Sequence, residues 1–247
     1  MIPLKPIPRP PKLTDDLVIE LTQRYQKTGE SVWLRRFIID RLLLISHGKC
    51  CFCECKITEE SKYPEAEHFF PKTVFIEKVL EWENLLAACK RCNGCKNDHN
   101  TLLEPIIHPI HNIPKEHLKL NHYFFRHKTE LGKTTVKVLR LNDVDRLVLP
   151  RQRIGNRVKD ELDNLEDWMG EYHKNPDVKK RNKIISKLKG VMREGQPDSE
   201  YSATVATIII HDESYHLIKE FLSTHSWWDD ECQTLENVIF DIAFDIL

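Results

Sequence analysis

The sequence predicts a mostly helical α+β protein in which a small module of two strands and one short helix is embedded among helices. The chain of 247 residues contains only 8 glycines, and 40% of its residues are hydrophobic while 30% are charged. This composition is typical of a helix-rich globular protein. Seven of the eight cysteines, by contrast, fall between residues 50 and 95, so one short region has a composition of its own.

The chain divides into three segments by its composition and its apolar spacing. Residues 1–48 are predicted to form an N-terminal arm and helices, residues 49–100 a cysteine-rich module, and residues 101–247 a mainly helical C-terminal region. The formal net charge is −1, so any contact with nucleic acid must come from a local basic patch. No apolar run has the features of a signal peptide or a membrane span, which predicts a cytoplasmic protein without a membrane partner.

The N-terminal segment combines a proline-rich arm with two helices. Residues 1–12 contain five prolines, which fix φ and remove backbone donors, so we expect an extended arm. This arm is either disordered or laid on a partner or on a nucleic-acid backbone. Thr14 is a good N-cap for a helix over residues 15–27, and apolar spacing predicts a second helix over residues 31–46.

The C-terminal region is predicted to begin with a hairpin and to continue as helices. Residues rich in β-branched and aromatic side chains, 122–128 and 134–141, favour two strands on either side of Gly132. Beyond them, helical spacing of apolar residues predicts helices over 144–172, 175–194, 202–211 and 213–224.

Two charged stretches in this region each allow two interpretations. The predicted helix over residues 175–194 carries seven Lys and Arg residues, which form either a solvated face or a phosphate-facing stripe. Residues 226–247 contain six acidic residues and no Lys or Arg. This last stretch is either a helix that closes the protein's own core or a segment that docks on a partner through Trp227 and Trp228.

Two Cys-x-x-Cys pairs, Cys50/Cys53 and Cys89/Cys92, mark the cysteine-rich module. Structural disulfides are rare in the cytosol, so clustered cysteines favour metal binding over disulfides or buried free thiols. Four thiolates saturate a tetrahedral Zn²⁺ ion, which predicts a structural zinc that holds no reactive water.

Three surplus cysteines, Cys51, Cys55 and Cys95, are predicted to be packing residues, although Cys55 and Cys95 offer competing ligand registers. We prefer the four ligands above because they leave Asn93 and Lys96 directly after the final cysteine pair. Each pair then delivers two sulfurs from one tight turn, and the ion ties two distant parts of the chain together.

The segment between the two cysteine pairs carries residues suited to metal-assisted hydrolysis. Residues 63–70 are predicted to form a strand with Glu67 and His68 near its end, and a second strand follows Asn84. Glu67 supplies a hard oxygen for a Mg²⁺-type ion, and the imidazole of His68 suits a base that activates water near neutral pH. A short helix beginning at Asn93 would bring these residues together.

This pattern resembles the HNH endonucleases, the ββα-metal nucleases, in the branch whose finger is held by two Cys-x-x-Cys pairs. The resemblance covers about a fifth of the chain. The matched residues beyond the cysteines are Glu67, His68, Pro71, Lys72, Asn84, Leu85, Asn93 and Lys96. The family more often has Asp before the base and His in place of Asn93, and His99 is an alternative ligand here.

The resemblance implies a role for each matched polar residue. His68 is the general base, and Glu67 and Asn93 are ligands of the catalytic divalent metal, Mg²⁺ or Mn²⁺. Asn84 braces the ββα loop and orients His68, and Lys96 steers a phosphate. The implied reaction is hydrolysis of a phosphodiester bond in DNA or RNA.

The layout of the whole chain resembles, more closely, the HNH effectors of Septu-type anti-phage defence, including those associated with retrons. The shared features are a proline-bearing N-terminus, helices, a Cys-x-x-Cys-Glu run at residues 50–54, the HNH core and a helical C-terminal half. These effectors act beside an ABC-type ATPase, which implies that residues 101–247 bind such a partner. The alternatives are an RNA nuclease of the same system, acting for example on tRNA, and an inactive zinc-finger module that binds nucleic acid or protein.

Overall fold

The computed structural model describes residues 1–59 and 63–246. Residues 60–62, inside the predicted cysteine-rich module, and residue 247, at the end of the acidic stretch, lie outside the described residues. The chain forms two units, which are Met1–His117 with His127–Leu141, and Leu118–Arg126 with Asn142–Leu247. No helix in the described residues is long and apolar enough to cross a membrane.

Two helices open the first unit. Helix α1 spans Asp15–Thr28 and helix α2 spans Arg36–Ile45. The hydroxyl of Thr14 caps α1 by accepting a backbone hydrogen bond at 3.3 Å, which confirms the predicted start. Helix α2 begins later than predicted, because residues 31–35 form an irregular segment that buries Trp33.

The proline-rich arm is extended, as predicted, but it packs on its own unit. Met1, Ile2 and Leu4 are buried, and the carbonyl of Ile7 accepts a hydrogen bond from the indole of Trp82 at 2.8 Å. Apolar side chains between the prolines therefore contribute to the hydrophobic core. The disordered alternative is wrong, since the arm contributes to this unit's core. The alternative that its exposed basic residues contact a partner or a nucleic-acid backbone stays a prediction.

The cysteine-rich module forms a strand–strand–helix arrangement. Strand β1 spans Pro64–His68 and strand β2 spans Leu85–Cys89, and they pair antiparallel with His68 opposite Leu85. Helix α3 spans Lys90–Lys96 and so begins earlier than predicted. The predicted α+β class is confirmed.

Residues 134–141 are mainly helical, so the hairpin predicted around Gly132 is wrong. Helix α4 spans Pro114–His117 and helix α5 spans Glu130–Val138. The hydroxyl of Thr129 caps α5 by accepting a hydrogen bond from the Gly132 amide at 3.2 Å. The β-branched residues of this stretch favour a strand only weakly, and the cap outweighs that preference.

The second unit begins with a short sheet. Strand β3 spans Leu118–Asn121 and pairs with strand β4, Phe124–His127. His122 and Tyr123 have positive φ values of 43° and 69° and form the turn between the strands. The strand predicted over residues 122–128 therefore begins two residues too early.

Five helices make up most of the second unit. They are α6 Leu149–Lys174, α7 Val178–Glu194, α8 Ser202–His211, α9 Glu213–Thr224 and α10 Asp230–Ile242. A π-helical turn, Val144–Val148, leads into α6. The four predicted helices are confirmed to within a few residues, although α7 is capped by Asp177 and not by Asn175.

The C-terminal end of α7 forms ion pairs with the acidic stretch. The ammonium of Lys189 lies 2.5 Å from Asp229 and 2.8 Å from Glu231, and Arg193 also pairs with Glu231. Trp227 packs on its own unit, with its ring 5.6 Å from that of Phe221. The ion pairs involve two of the seven basic residues of α7. The buried residues of α10 confirm that the last helix closes its own core.

Candidate metal centre and active site

The four predicted zinc ligands come together in the first unit. The Sγ atoms of Cys50, Cys53, Cys89 and Cys92 all lie within 4.8 Å of one another. The sulfurs of Cys53 and Cys89 are 3.8 Å apart. A tetrahedral zinc ion with Zn–S bonds of ~2.3 Å has sulfur–sulfur edges of about 3.8 Å, so the four thiolates fit a zinc ion in both chemistry and size.

Backbone hydrogen bonds shape the first cysteine pair. The amide of Cys50 donates to the Cys55 carbonyl at 2.9 Å, and Glu54 adopts a φ of 67° in the turn between them. The amide of Cys51 donates to the carbonyl of Ala87 in β2, also at 2.9 Å. The turn is therefore tight enough to present two sulfurs together, and it is fastened to the sheet.

The second cysteine pair lies where β2 passes into α3. The sulfur of Cys89 accepts a hydrogen bond from the Cys92 amide at 3.4 Å, so one candidate ligand is also the N-cap of the helix. The guanidinium of Arg91 donates to the Leu139 carbonyl at 3.1 Å. This contact holds the start of α3, and with it both sulfurs, against the body of the first unit.

The surplus cysteines are not members of the four-sulfur group. Cys51 is buried, and burial raises the pKa of its thiol well above the usual value, which suits a packing residue. Cys55 is the nearest competitor, with its sulfur 3.5 Å from that of Cys53. The geometry favours the predicted four-cysteine set over the register that uses Cys95.

Glu67 is buried near the end of β1, and only one of its oxygens has a partner. Its Oε1 pairs with the ammonium of Lys96 at 2.7 Å, whereas Oε2 has no hydrogen-bond partner among the described residues. Burial raises the pKa of this carboxyl to about 7, against the opposing effect of Lys96. A buried, unpartnered carboxylate oxygen is costly, and a hard divalent cation would satisfy it.

Lys96 lies beneath this site and not at its rim. Its side chain is 1% exposed, and its ammonium donates to the carbonyl of His68 at 2.7 Å in addition to its pair with Glu67. Lys96 therefore ties α3 to the end of β1. Lys72 lies closer to the surface of the same site, so its ammonium has the access that the phosphate-steering role predicted for Lys96 requires.

His68 is buried beside Glu67, with its ring held by a hydrogen bond and an aromatic contact. Its Nε2 lies 2.9 Å from the carbonyl of Val79. A carbonyl only accepts, so Nε2 carries the ring proton and Nδ1 keeps its lone pair. The ring of Trp33 packs edge-on at a centroid distance of 4.7 Å. Burial lowers the pKa of His68 to about 4, so the imidazole is neutral at physiological pH and able to accept a proton.

Asn84 fixes the loop on which the His68 contact depends. Its Oδ1 accepts from the Phe70 amide at 2.6 Å, and its Nδ2 donates to the carbonyls of Phe70 and Lys78 at 3.2 and 2.9 Å. Lys78 immediately precedes Val79, whose carbonyl holds the His68 ring. This is the placement that the predicted bracing role of Asn84 requires.

Asn93 is oriented by Glu65, a residue that our sequence analysis missed. The Nδ2 of Asn93 donates to Glu65 Oε2 at 2.6 Å. An ionised carboxylate only accepts, so the amide nitrogen faces Glu65 and Oδ1 faces away, available as an oxygen ligand. Glu65 and Glu67 are two residues apart on β1 and share one face of the strand. This alternation is the signal that points to Glu65.

Glu67, His68 and Asn93 line one small polar cavity of about 40 Å³, large enough for a water or an ion, whereas Asn84 and Lys96 are not part of its lining. Its lining consists of Glu67, His68, Pro71, Lys72, Asn93, Asn97 and Asp98. Asn97 and Asp98 belong to no sequence motif. They line the cavity because the chain turns sharply after α3, where Asn97 has a φ of 45°. His99, the alternative ligand, is not part of the lining, and its Nε2 pairs with the Glu104 carbonyl at 2.8 Å.

Comparison with known proteins agrees with the layout of the chain. Over 237 residues the chain is 41% identical to the Septu protein PtuB of Bacillus thuringiensis, and this alignment covers 95% of this chain and 92% of that protein. Over 208 residues it is 26% identical to the Septu protein PtuB of Bacillus mycoides strain KBAB4, with 66% and 70% of the two chains covered. No family model and no solved structure matches the chain. The first relative extends over almost the whole of both sequences, and the chain therefore belongs to the PtuB family of Septu proteins.

Proposed function

We propose that this chain is a metal-dependent HNH endonuclease that hydrolyses phosphodiester bonds of nucleic acid in anti-phage defence. The observation that carries the proposal is the cavity itself, where neutral His68 lies beside Glu67 and its unpartnered oxygen. The pair with Lys96 explains Oε1 of this carboxylate, but a zinc-binding scaffold without catalysis has no use for a second oxygen that is buried without a partner. The Septu names of the two relatives support the defence role.

His68 is the general base in this proposal. With Nε2–H donated to Val79, the lone pair on Nδ1 is left to take a proton from a water molecule. The water oxygen then attacks phosphorus in line with the leaving oxygen, which departs as the phosphodiester bond breaks. Asn84 acts through the loop that contains Val79 and keeps the imidazole in one orientation.

The carboxylate of Glu67 and the amide oxygen of Asn93 would hold the catalytic Mg²⁺ or Mn²⁺ ion. When bound, the ion stabilises negative charge on the phosphate and on the leaving oxygen. Lys96 fixes Glu67 from below, and Lys72 at the rim is placed to attract a phosphate. Zinc at the four cysteines holds the strands and α3 in register and takes no part in the chemistry.

In this proposal the C-terminal region regulates the nuclease module by binding a partner protein. Residues 49–100 form the nuclease module, and residues 101–247 bind an ABC-type ATPase that regulates it. The Septu relatives support this assignment.

Cleavage under controlled metal conditions tests the proposed function. Purified protein that retains its zinc is incubated with supercoiled plasmid DNA and, separately, with total cellular RNA. Each reaction contains Mg²⁺, Mn²⁺ or EDTA, and the series is repeated on the complex purified with its ATPase partner. We expect metal-dependent cleavage of one substrate, which separates DNA from RNA. An absence of cleavage in both the isolated chain and the complex would contradict the proposal.

A further inference from the structure

Asp98 is the one residue at the cavity whose negative charge no part of the proposed mechanism uses. It follows α3 after a sharp turn in which the amide of Asn97 donates to the carbonyl of Asn93 at 2.8 Å. This turn returns the chain to the cavity, so Asp98 and Asn93 both line it. The carboxylate of Asp98 makes no hydrogen bond or ion pair within residues 1–59 and 63–246, and its side chain is exposed.

The charge balance of the cavity shows why a second carboxylate matters. Glu67 brings one negative charge, but the ammonium of Lys96 at 2.7 Å offsets it. Lys72 adds a further positive charge to the lining. Without Asp98 these three groups carry a net positive charge, which repels a divalent cation. The exposed carboxylate of Asp98 offsets that positive charge.

A second observation points independently to a cation at this place. Glu67 lines the cavity, and its Oε2 is buried and has no hydrogen-bond partner among the described residues. Asn93 is turned by Glu65 so that its amide oxygen is available. The cavity lining therefore contains oxygen donors from three residues, Glu67, Asn93 and Asp98, and oxygen donors of this kind suit Mg²⁺ or Mn²⁺.

We propose that Asp98 is a further oxygen ligand of the divalent cation, together with Glu67 and Asn93. This inference rests on the proposed function, because it concerns the cation of the same cavity. Asp98 lies outside the Cys-x-x-Cys-Asn-x-x-Lys motif, and in this proposal it contributes directly to the affinity for the cation.

Mn²⁺ titration followed by electron paramagnetic resonance tests the inference without relying on activity. The free Mn²⁺ signal is measured for the wild type and for Asp98→Asn, Glu67→Gln and Asp16→Asn, all with equal zinc content. Asp98→Asn removes a charge and preserves shape, and Asp16→Asn makes the same change on α1, away from the cavity. We expect Asp98→Asn to weaken Mn²⁺ binding about tenfold or more, Glu67→Gln to weaken it similarly, and Asp16→Asn to match the wild type.

The outcomes separate this inference from the proposed function. If Asp98→Asn binds Mn²⁺ like the wild type while Glu67→Gln does not, Asp98 is not a ligand and the proposed function stands. If all four proteins bind alike, there is no cation site in the cavity, and both the inference and the metal-dependent mechanism fail. If Asp98→Asn weakens binding but the wild type cleaves no nucleic acid, the cation site stands and the nuclease proposal falls.

Discussion

At the residue scale, the buried ion pair of Glu67 and Lys96 is the feature of the candidate site whose disruption should cost the most stability. Both side chains are 1% exposed, and the ammonium also holds the carbonyl of His68. Removing one partner of a buried ion pair leaves an uncompensated charge in a medium that solvates it poorly. The fold therefore depends on Lys96 even though the proposed chemistry does not pass through it.

We expect Lys96→Met to lower the free energy of unfolding by about 3–5 kcal/mol. Lys90→Met is the matched control, since it makes the same change at an exposed position of the same helix and should cost less than about 0.5 kcal/mol. Urea denaturation of both variants measures the difference. Equal stability of the two variants would show that the buried pair does not hold the module together.

His108 shows that a histidine without a motif can still shape the pH dependence of stability. It is buried, with Nδ1 accepting from the Ile110 amide at 3.2 Å and its ring 4.3 Å from that of Phe69. Burial lowers its pKa to about 4, and the nearby His111 acts in the same direction. The apolar contact with Phe69 carries no signal that sequence spacing could reveal.

The stability that neutral His108 contributes should be lost in acid. Between pH 6.5 and pH 4 the unfolded chain binds a proton at this histidine that the folded chain does not, so stability falls as the pH falls. The glutamine of His108→Gln cannot titrate, so only the wild type loses this stability in acid. The amount by which the free energy of unfolding of the variant falls below that of the wild type should therefore shrink by about 3 kcal/mol between pH 6.5 and pH 4. Urea denaturation at several pH values measures the deficit, with His127→Gln at an exposed site as control. A deficit that stays constant with pH would contradict the assignment.

At the element scale, the stability of the cysteine-rich module depends on its four clustered cysteines, because strands β1 and β2 have only five residues each and helix α3 has seven. A two-stranded sheet is marginal on its own in water. Zinc binding to four thiolates supplies folding free energy directly, and Cys89 contributes twice because it also caps α3.

Cys89→Ser should release zinc and lower the melting temperature, whereas Cys95→Ser should keep both. The two variants make the same change six residues apart, but Cys95 is outside the four-sulfur group. Metal analysis by mass spectrometry and thermal denaturation provide the two readouts. Zinc loss in Cys95→Ser with retention in Cys89→Ser would mean that the competing register is correct.

The elements also show what a single sequence can and cannot predict. The cysteine spacing and the cap at Thr14 act locally, so the four-sulfur group and the start of α1 follow from them. Helix α5 was missed because β-branched residues in its second half outweighed, in the sequence pattern, the cap that Thr129 provides. Asp98 could not be predicted, since its position depends on the turn at Asn97 and not on any spacing.

At the scale of the whole molecule, the chain consists of two units with different contents. The first unit contains the proline-rich arm, both cysteine pairs and the cavity, and the second contains the long helices. The arm was misjudged because prolines and charges suggested exposure, whereas Met1, Ile2 and Leu4 bury their side chains in the core of the first unit. Membership of the PtuB family applies to the whole chain, since the relative from Bacillus thuringiensis covers 95% of it.

The central claim is that His68 is the base of a phosphodiesterase centre, and the most direct test compares cleavage by the wild type, His68→Ala and His127→Ala. All three are assayed with equal zinc content, with Mg²⁺ or Mn²⁺, both alone and in complex with the proposed ATPase partner. We predict that His68→Ala loses cleavage by a factor on the order of 10² to 10⁴ while keeping its zinc and its fold, and that His127→Ala, changed at an exposed histidine, cleaves like the wild type. Full cleavage by His68→Ala would contradict the account.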